Sequence, residues 1–416
     1  MIHQLVAQVA RNTFTKAMRF SDSLPLRLPE GSARTPGLLY IHIPFCERLC
    51  PYCSFHRVVF SEALCREYFR ALRREISLYR DLGYNFGGIY VGGGTPTVLI
   101  DELEQTLETA RDHFAIREIS VETNPDHLTP DRLDVLKRAG VNRLSVGVQS
   151  FDDSLLRQMD RLEKYGRGDV IAARLKETRG RFDTLNADMI FNFPSQTETM
   201  VERDLATILN LGLDQVTYYP LMVSDMTKET VRQTFGEIDR DKEARLYEMI
   251  ARRLSPEYRF SSAWCFSRKE AMIDEYIVAY DEYAGLGSGS IGYLGGTCYA
   301  NTFDIAAYIS MLLRDKPVLP LLAVQPFSVH DRVRYDFLMR LFGMKVDMAE
   351  LKNKFGGSWR YLWGEILAFG AAGAIRYQRP YFRLTDRGRY VWVILMREFF
   401  TAVNNFRHYC RARAGY

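Results

Sequence analysis

The 416-residue chain is 47% hydrophobic and 25% charged, with a net charge of +4. That excludes a disordered chain, gives no general field for nucleic acid, and allows one large domain plus a smaller one, or two to three ordinary domains. Seven cysteines without a disulfide-framework pattern, and no uncharged apolar stretch of membrane-spanning length, 390–396 being only seven residues, lead us to expect neither a secreted scaffold nor a membrane span. The N-terminus lacks the apolar core and cleavage site of a signal peptide, and the expected location is a reducing cytoplasm.

Residues 1–36 read as a leader, helical over 4–20 and then an extended connector with three prolines over 21–36. From residue 38, strand and helix patterns alternate. The strands are predicted at 38–43, 88–91, 118–122, 143–149, 185–191 and 215–221. The helices are predicted at 61–81, 101–113, 129–139, 152–162, 169–178 and 198–211. This spacing predicts parallel βα units with right-handed crossovers, in the α/β class. Six units suit a partial barrel, whose chemistry lies at the C-terminal strand ends. Residues 226–325 read as an extension of it, with a helix at 239–254 and a strand at 258–264. Residues 326–416 read as a separate module: helices at 331–342, 348–355 and 359–369, a two-stranded wing, and a last helix to about residue 407. That is a winged-helix-like pattern.

Every motif falls at a strand end. After the first strand come Cys46, Cys50 and Cys53, three thiols within eight residues. Thiolates are the usual ligands of iron–sulfur clusters. A four-iron cluster wants four ligands, so one iron would stay open to an exogenous group. Tetrahedral zinc, with His56 as fourth ligand, is the rival reading. After the second strand come Gly92, Gly93, Gly94 and Thr95, where missing Cβ atoms let backbone approach a ligand, or simply allow a tight turn. Glu122 ends the third strand, where its carboxylate can accept both hydroxyls of a ribose. Gln149 ends the fourth and Asp188 lies on the fifth. Tyr218 and Tyr219 lie on the sixth, one of them assigned to the core.

The string from Tyr40 to Cys53, with its Cys-x-x-x-Cys-x-x-Cys spacing, resembles the radical S-adenosylmethionine (SAM) superfamily. Within it the wider string resembles the oxygen-independent coproporphyrinogen III oxidase-like family, which includes heme chaperones and a class of radical methyltransferases. The resemblance is firm over 38–225 and loose over 283–400. It implies a partial (β/α)6 barrel over 37–225 holding a [4Fe–4S] cluster and one or two SAM molecules. It makes the 92–95 loop the binder of the methionine amino group and gives Gln149 a contact to SAM. By position, Arg161 matches the family's arginine near the SAM carboxylate, although a solvated helix face is a strong rival there. Asp188, Pro194 and Gln196 keep the family's fifth-strand pattern, with Asn192-Phe193 where Gly-Leu is usual. Gly285, Gly287 and Gly289 resemble a glycine turn on the substrate side of the mouth.

The implied chemistry is one-electron reduction of SAM to methionine and a 5′-deoxyadenosyl radical, which takes hydrogen from a substrate carbon. Such an enzyme implies an organic substrate, a tetrapyrrole among the candidates, and an electron donor such as flavodoxin or ferredoxin. The decarboxylases continue with Gly-Cys after the third cysteine; here Ser54-Phe55 follows. Trp264-Cys265-Phe266 replaces a histidine segment of the heme chaperones. Radical methyl transfer is therefore the preferred reaction, with decarboxylation and heme carriage as alternatives. An iron–sulfur DNA-binding regulator is the alternative of another class. Residues 376–416 hold nine arginines and two acids, but the module's second helix lacks outward basic residues at regular spacing. A lid over the barrel mouth, with arginines towards an acidic substrate, is the reading taken.

Overall fold

A computed structural model describes residues 2–18, 20, 26–31, 37–269 and 280–413. Six strands, β1 (Gly37–Ile43), β2 (Phe86–Gly93), β3 (Glu118–Thr123), β4 (Arg143–Gln149), β5 (Thr184–Phe191) and β6 (Gln215–Pro220), pair in parallel and in sequence order. Every residue of β1 is buried, as expected of a parallel strand covered on both faces. Helices Glu62–Asp81, Ile100–His113, Pro130–Arg138, Gly168–Thr178 and Glu198–Leu211 make the crossovers. All six strands start and stop within two residues of expectation.

The extension does not form a unit of its own. It lengthens the same sheet at both edges. β7 (Arg259–Phe260) and β8 (Cys265–Ser267) form an antiparallel pair on β6. That replaces the single strand expected over 258–264. On the other edge, β9 (Tyr283–Leu286) runs parallel to β1. β10 (Ile291–Leu294), β11 (Thr297–Asn301) and β12 (Leu321–Pro326) follow it antiparallel, giving a twelve-stranded sheet.

A second difference lies after β4. One helix was expected over 152–162; the structure has Asp153–Gln158 and then Leu162–Tyr165. Between them Asp160 takes the left-handed conformation at φ 58°, a region open at low cost only to glycine and, less well, to Asn and Asp. The break turns Arg161 inward, to 4% exposure, so the solvated-face reading of Arg161 does not hold.

The C-terminal module has the expected form. Helices Val329–Phe342 and Met348–Phe355 precede a 3-10 turn, Gly356–Leu362, which runs on into helix Trp363–Ala371. The strands Ile375–Gln378 and Tyr381–Leu384 make the wing, with Lys345–Asp347 as a third strand. The last helix, Asp386–Arg413, is 28 residues long. Its apolar run is buried against the module, and the Trp392 indole N–H donates to the Leu338 carbonyl at 3.0 Å. The N-terminal helix, Ile2–Ala17, lies along it. Arg11 reaches Glu398 at 2.8 Å, Phe14 meets Phe399 edge-on, and Phe20 stacks on Phe406. Arg397 is buried between Glu243 and Glu398. Arg397 and Arg407 thus point inward, while Arg376, Arg379, Arg383 and Arg387 are exposed. Most of the connector over 21–36 lies outside the described residues.

Candidate active site

One cavity at the C-terminal ends of the strands collects most of the predicted residues. Its floor is the cysteine loop. Phe45–Cys46 pairs in parallel with Val58–Val59, which closes the loop at its base. The Arg57 guanidinium laces it by donating to the carbonyls of Cys50, at 2.6 Å, and Cys53, at 2.7 Å. Cys46, Cys50 and Cys53 all line the cavity. Thr95 Oγ1 stands 3.7 Å from Cys46 Sγ, and Arg161 Nη1 stands 3.7 Å from Cys50 Sγ. Burial pushes the Cys46 thiol up to about 11, and burial also raises Cys53. Such thiols ionise readily only against a bound positive centre.

Among the described residues, Glu47, Asp126 and His127 are the group of potential ligand atoms lying within 4.8 Å of one another. The three cysteine sulfurs do not close to that spacing, whereas thiolates at 2.3 Å from one tetrahedral ion must. His56, the fourth ligand of the zinc reading, is turned away. Its Nε2 lies 3.3 Å from Ser288 Oγ and its ring edge meets Phe303. The donor set therefore fits a polynuclear cluster better than a single ion. The remaining described cysteines, Cys65, Cys265, Cys298 and Cys410, lie outside the cavity lining.

The walls are strand ends. A Cβ on Gly94 would stand 2.9 Å from Cys46 Sγ, and one on Gly92 would stand 2.9 Å from the Glu122 carboxyl. Gly93 and Gly94 line the cavity with Thr95; Gly92 sits one layer behind, making room for Glu122. Glu122 accepts from Tyr90 OH at 2.8 Å and from the Gly93 amide at 3.1 Å. Burial, reinforced by the nearby Asp188, lifts its carboxyl to about 7. Asp188 accepts from Ser145 Oγ at 2.6 Å and Asn186 Nδ2 at 2.9 Å, and faces the cavity. Gln149 also faces it, from a left-handed backbone at φ 73°. Strain of this kind gathers where a side chain must be aimed. Arg161 donates to the Gly147 carbonyl and to Asn124 Oδ1, and its guanidinium lies 4.1 Å over the Tyr165 ring. Asn192, where the resembled family carries glycine, takes φ 70° and donates to the Asp239 carbonyl. The exchange is thus conformationally matched.

The tyrosine pair divides as expected, and one expectation fails. Tyr218 is 1% exposed and belongs to the core, so Tyr219 alone of the pair reaches the cavity. The glycine turn at 285–289 does not border the mouth. It packs behind β1, where a Cβ on Gly287 would meet the His42 carbonyl at 2.4 Å and Tyr68 OH at 2.5 Å. It serves close approach of β9 to β1. Sequence reasoning missed Tyr90, Asn124, Phe400, Asn404 and Arg407, all of which line the cavity. Tyr90 was within reach, because it shares a strand face with Gly92, two residues on. Nothing local marks the other four.

The pattern describing the radical SAM superfamily matches residues 40–208. A heme chaperone of Bacillus subtilis (strain 168) is 32% identical over 293 residues, spanning 66% of this chain and 75% of that one. The oxygen-independent coproporphyrinogen III oxidase of Bradyrhizobium diazoefficiens is 35% identical over 178 residues, spanning 41% and 38%. The structure of coproporphyrinogen III oxidase from Escherichia coli superposes with a TM-score of 0.72, covering 93% of each chain at 22% identity. That likeness shows the shared fold.

Proposed function

The chain belongs to the radical SAM superfamily, in the group that holds the heme chaperones and the oxygen-independent coproporphyrinogen III oxidases, and from that premise we propose that it is an enzyme that radically transforms, by methyl transfer, a tetrapyrrole-like substrate. This family uses a [4Fe–4S] cluster and SAM. We assign Cys46, Cys50 and Cys53 as cluster ligands. When bound, the cluster supplies the electron that splits SAM into methionine and a 5′-deoxyadenosyl radical. The protein's part is to bind, aim and keep water out. Glu122 and Asp188 offer acceptors for ribose hydroxyls. The open backbone of 92–95 takes the methionine amino group, and Arg161 takes its carboxylate. Gln149 is aimed at the same ligand.

The observation that carries the reading is the convergence of three thiols, those polar strand ends and one buried arginine on a single cavity. Against decarboxylation stands Ser54 after the third cysteine, its hydroxyl 3.1 Å from Thr227 Oγ1. Heme carriage is the second reading, favoured by the likeness to the Bacillus subtilis chaperone. Against it, no histidine lines the cavity among the described residues, and Trp264, Cys265 and Phe266 are wholly buried.

Anaerobic incubation with reductant, methyl-labelled SAM and candidate tetrapyrroles tests these readings. Methyl transfer, with a second SAM as the methylene donor, requires S-adenosylhomocysteine, 5′-deoxyadenosine or its methylated adduct, and label in the product. Cys46→Ala, Cys50→Ala and Cys53→Ala should each abolish the cluster and the cleavage, while Cys65→Ala should not. Label-free loss of carbon dioxide would establish the decarboxylase. Tetrapyrrole binding without SAM cleavage above the Cys46→Ala background would establish the carrier.

A further inference from the structure

The roof of the cavity comes from the far end of the chain. Phe400, Asn404 and Arg407 of the last helix line it opposite residues of the cysteine loop. Arg407 is 6% exposed, and its guanidinium lies 5.3 Å over the ring of Phe55. Its one side-chain hydrogen bond runs from Nη1 to Asn404 Oδ1 at 2.9 Å, and its buried Nε has no partner. Among the described residues no carboxylate pairs with it. Its cationic neighbours add to the imbalance. His408 feels the charges of Arg411, Arg407 and Arg57, with Asp225 the single acid among the influences on it. Asp225 is itself engaged by Asn405 at 2.8 Å on the outer side of the helix.

A buried guanidinium without a counter-charge is costly. The cost is removed if an anion completes the site. Arginine's planar fork suits a carboxylate, which it can grip with two N–H groups. The surrounding lining is apolar and aromatic, with Phe55, Tyr219, Met222 and Phe400. We propose that Arg407, oriented by Asn404 and reinforced by Arg57, receives a carboxylate arm of the substrate, a ligand with a broad apolar body. This rests on the tetrapyrrole reading for the identity of that body, but not for the anion site itself. SAM also carries a carboxylate, and the test separates the two sources.

The test uses the cluster-loaded full-length protein and three probes: coproporphyrin III, its tetramethyl ester, and the aromatic anion 8-anilinonaphthalene-1-sulfonate. SAM affinity is measured in parallel. The wild type should prefer the free acid over the ester by about tenfold or more, the worth of a charge-assisted bond. Arg407→Ala should lose that preference with SAM affinity unchanged, and Arg407→Lys should keep part of it. Unchanged SAM affinity certifies the fold, and the lysine variant serves should the alanine variant fail to fold. Free-acid binding equal to the wild type in the variants overturns the proposal. So does loss of SAM affinity with porphyrin binding intact, which would assign Arg407 to the SAM carboxylate. If neither porphyrin binds the wild type, the tetrapyrrole reading falls and the sulfonate decides. Binding weakened about fivefold or more in Arg407→Ala then upholds the anion site, and equal binding overturns it.

Discussion

At the scale of single residues, Glu122 shows how the site is tuned. Its carboxyl is held by Tyr90 and the Gly93 amide, and burial keeps it protonated to about pH 7. A ligand offering hydroxyl donors would favour the ionised form and replace the lost hydration. We expect Glu122→Ala to weaken SAM binding by about tenfold or more, the loss of charged hydrogen bonds, with full iron content. Equilibrium dialysis of the cluster-loaded variant checks this, and undiminished affinity would refute the role. Glu122 and Gln149 were legible because each closes an apolar run, where a polar side chain has no core to join; Asp188 lies inside its strand and was legible through the family pattern. Arg161 was legible by position only. Its burial depends on a backbone reversal at Asp160 and on acceptors from other strands, Gly147 and Asn124. No local pattern encodes that.

At the scale of elements, buried parallel strands are the easiest feature to read, since both faces are covered and the run is continuously apolar. Helix breaks are harder. The helical pattern of 152–162 continues through Asp160, yet the backbone reverses there and turns Arg161 inward. The left-handed turn there makes a direct prediction. Asp160→Gly should change stability by about 0.5 kcal/mol or less, because it exchanges strain and one exposed ion pair with Arg48 for chain freedom. Asp160→Val should cost about 1–2 kcal/mol and weaken SAM binding as Arg161 swings out. Urea unfolding and SAM titration of both variants test it; a valine variant as stable as the glycine one would remove the argument. The glycine turn at 285–289 was misplaced for a related reason. Glycine declares that something comes close, and the close neighbour proved to be β1 rather than a ligand.

At the scale of the whole molecule, the last helix is fixed by charge as well as by packing. Arg397 sits between Glu243 of the barrel-side helix Arg240–Leu254 and Glu398 of its own helix, with all three at 3% exposure or less. Removing one partner of such a buried group leaves charge unanswered. Arg397→Met should therefore lower stability by about 3 kcal/mol and make the last helix open to protease before the barrel; denaturant unfolding with limited proteolysis tests both, and an unchanged midpoint would contradict it. The roof was not readable from the sequence, because residues 400–407 reach the cysteine loop through the docking of the last helix on the barrel. That docking has a consequence for biosynthesis. The thiol loop leaves the ribosome early, while the helix that covers it is translated only after the whole barrel. At about 5–20 residues per second, the nascent barrel stays uncovered for tens of seconds, an interval in which an iron–sulfur carrier can reach the thiols before that helix closes over them.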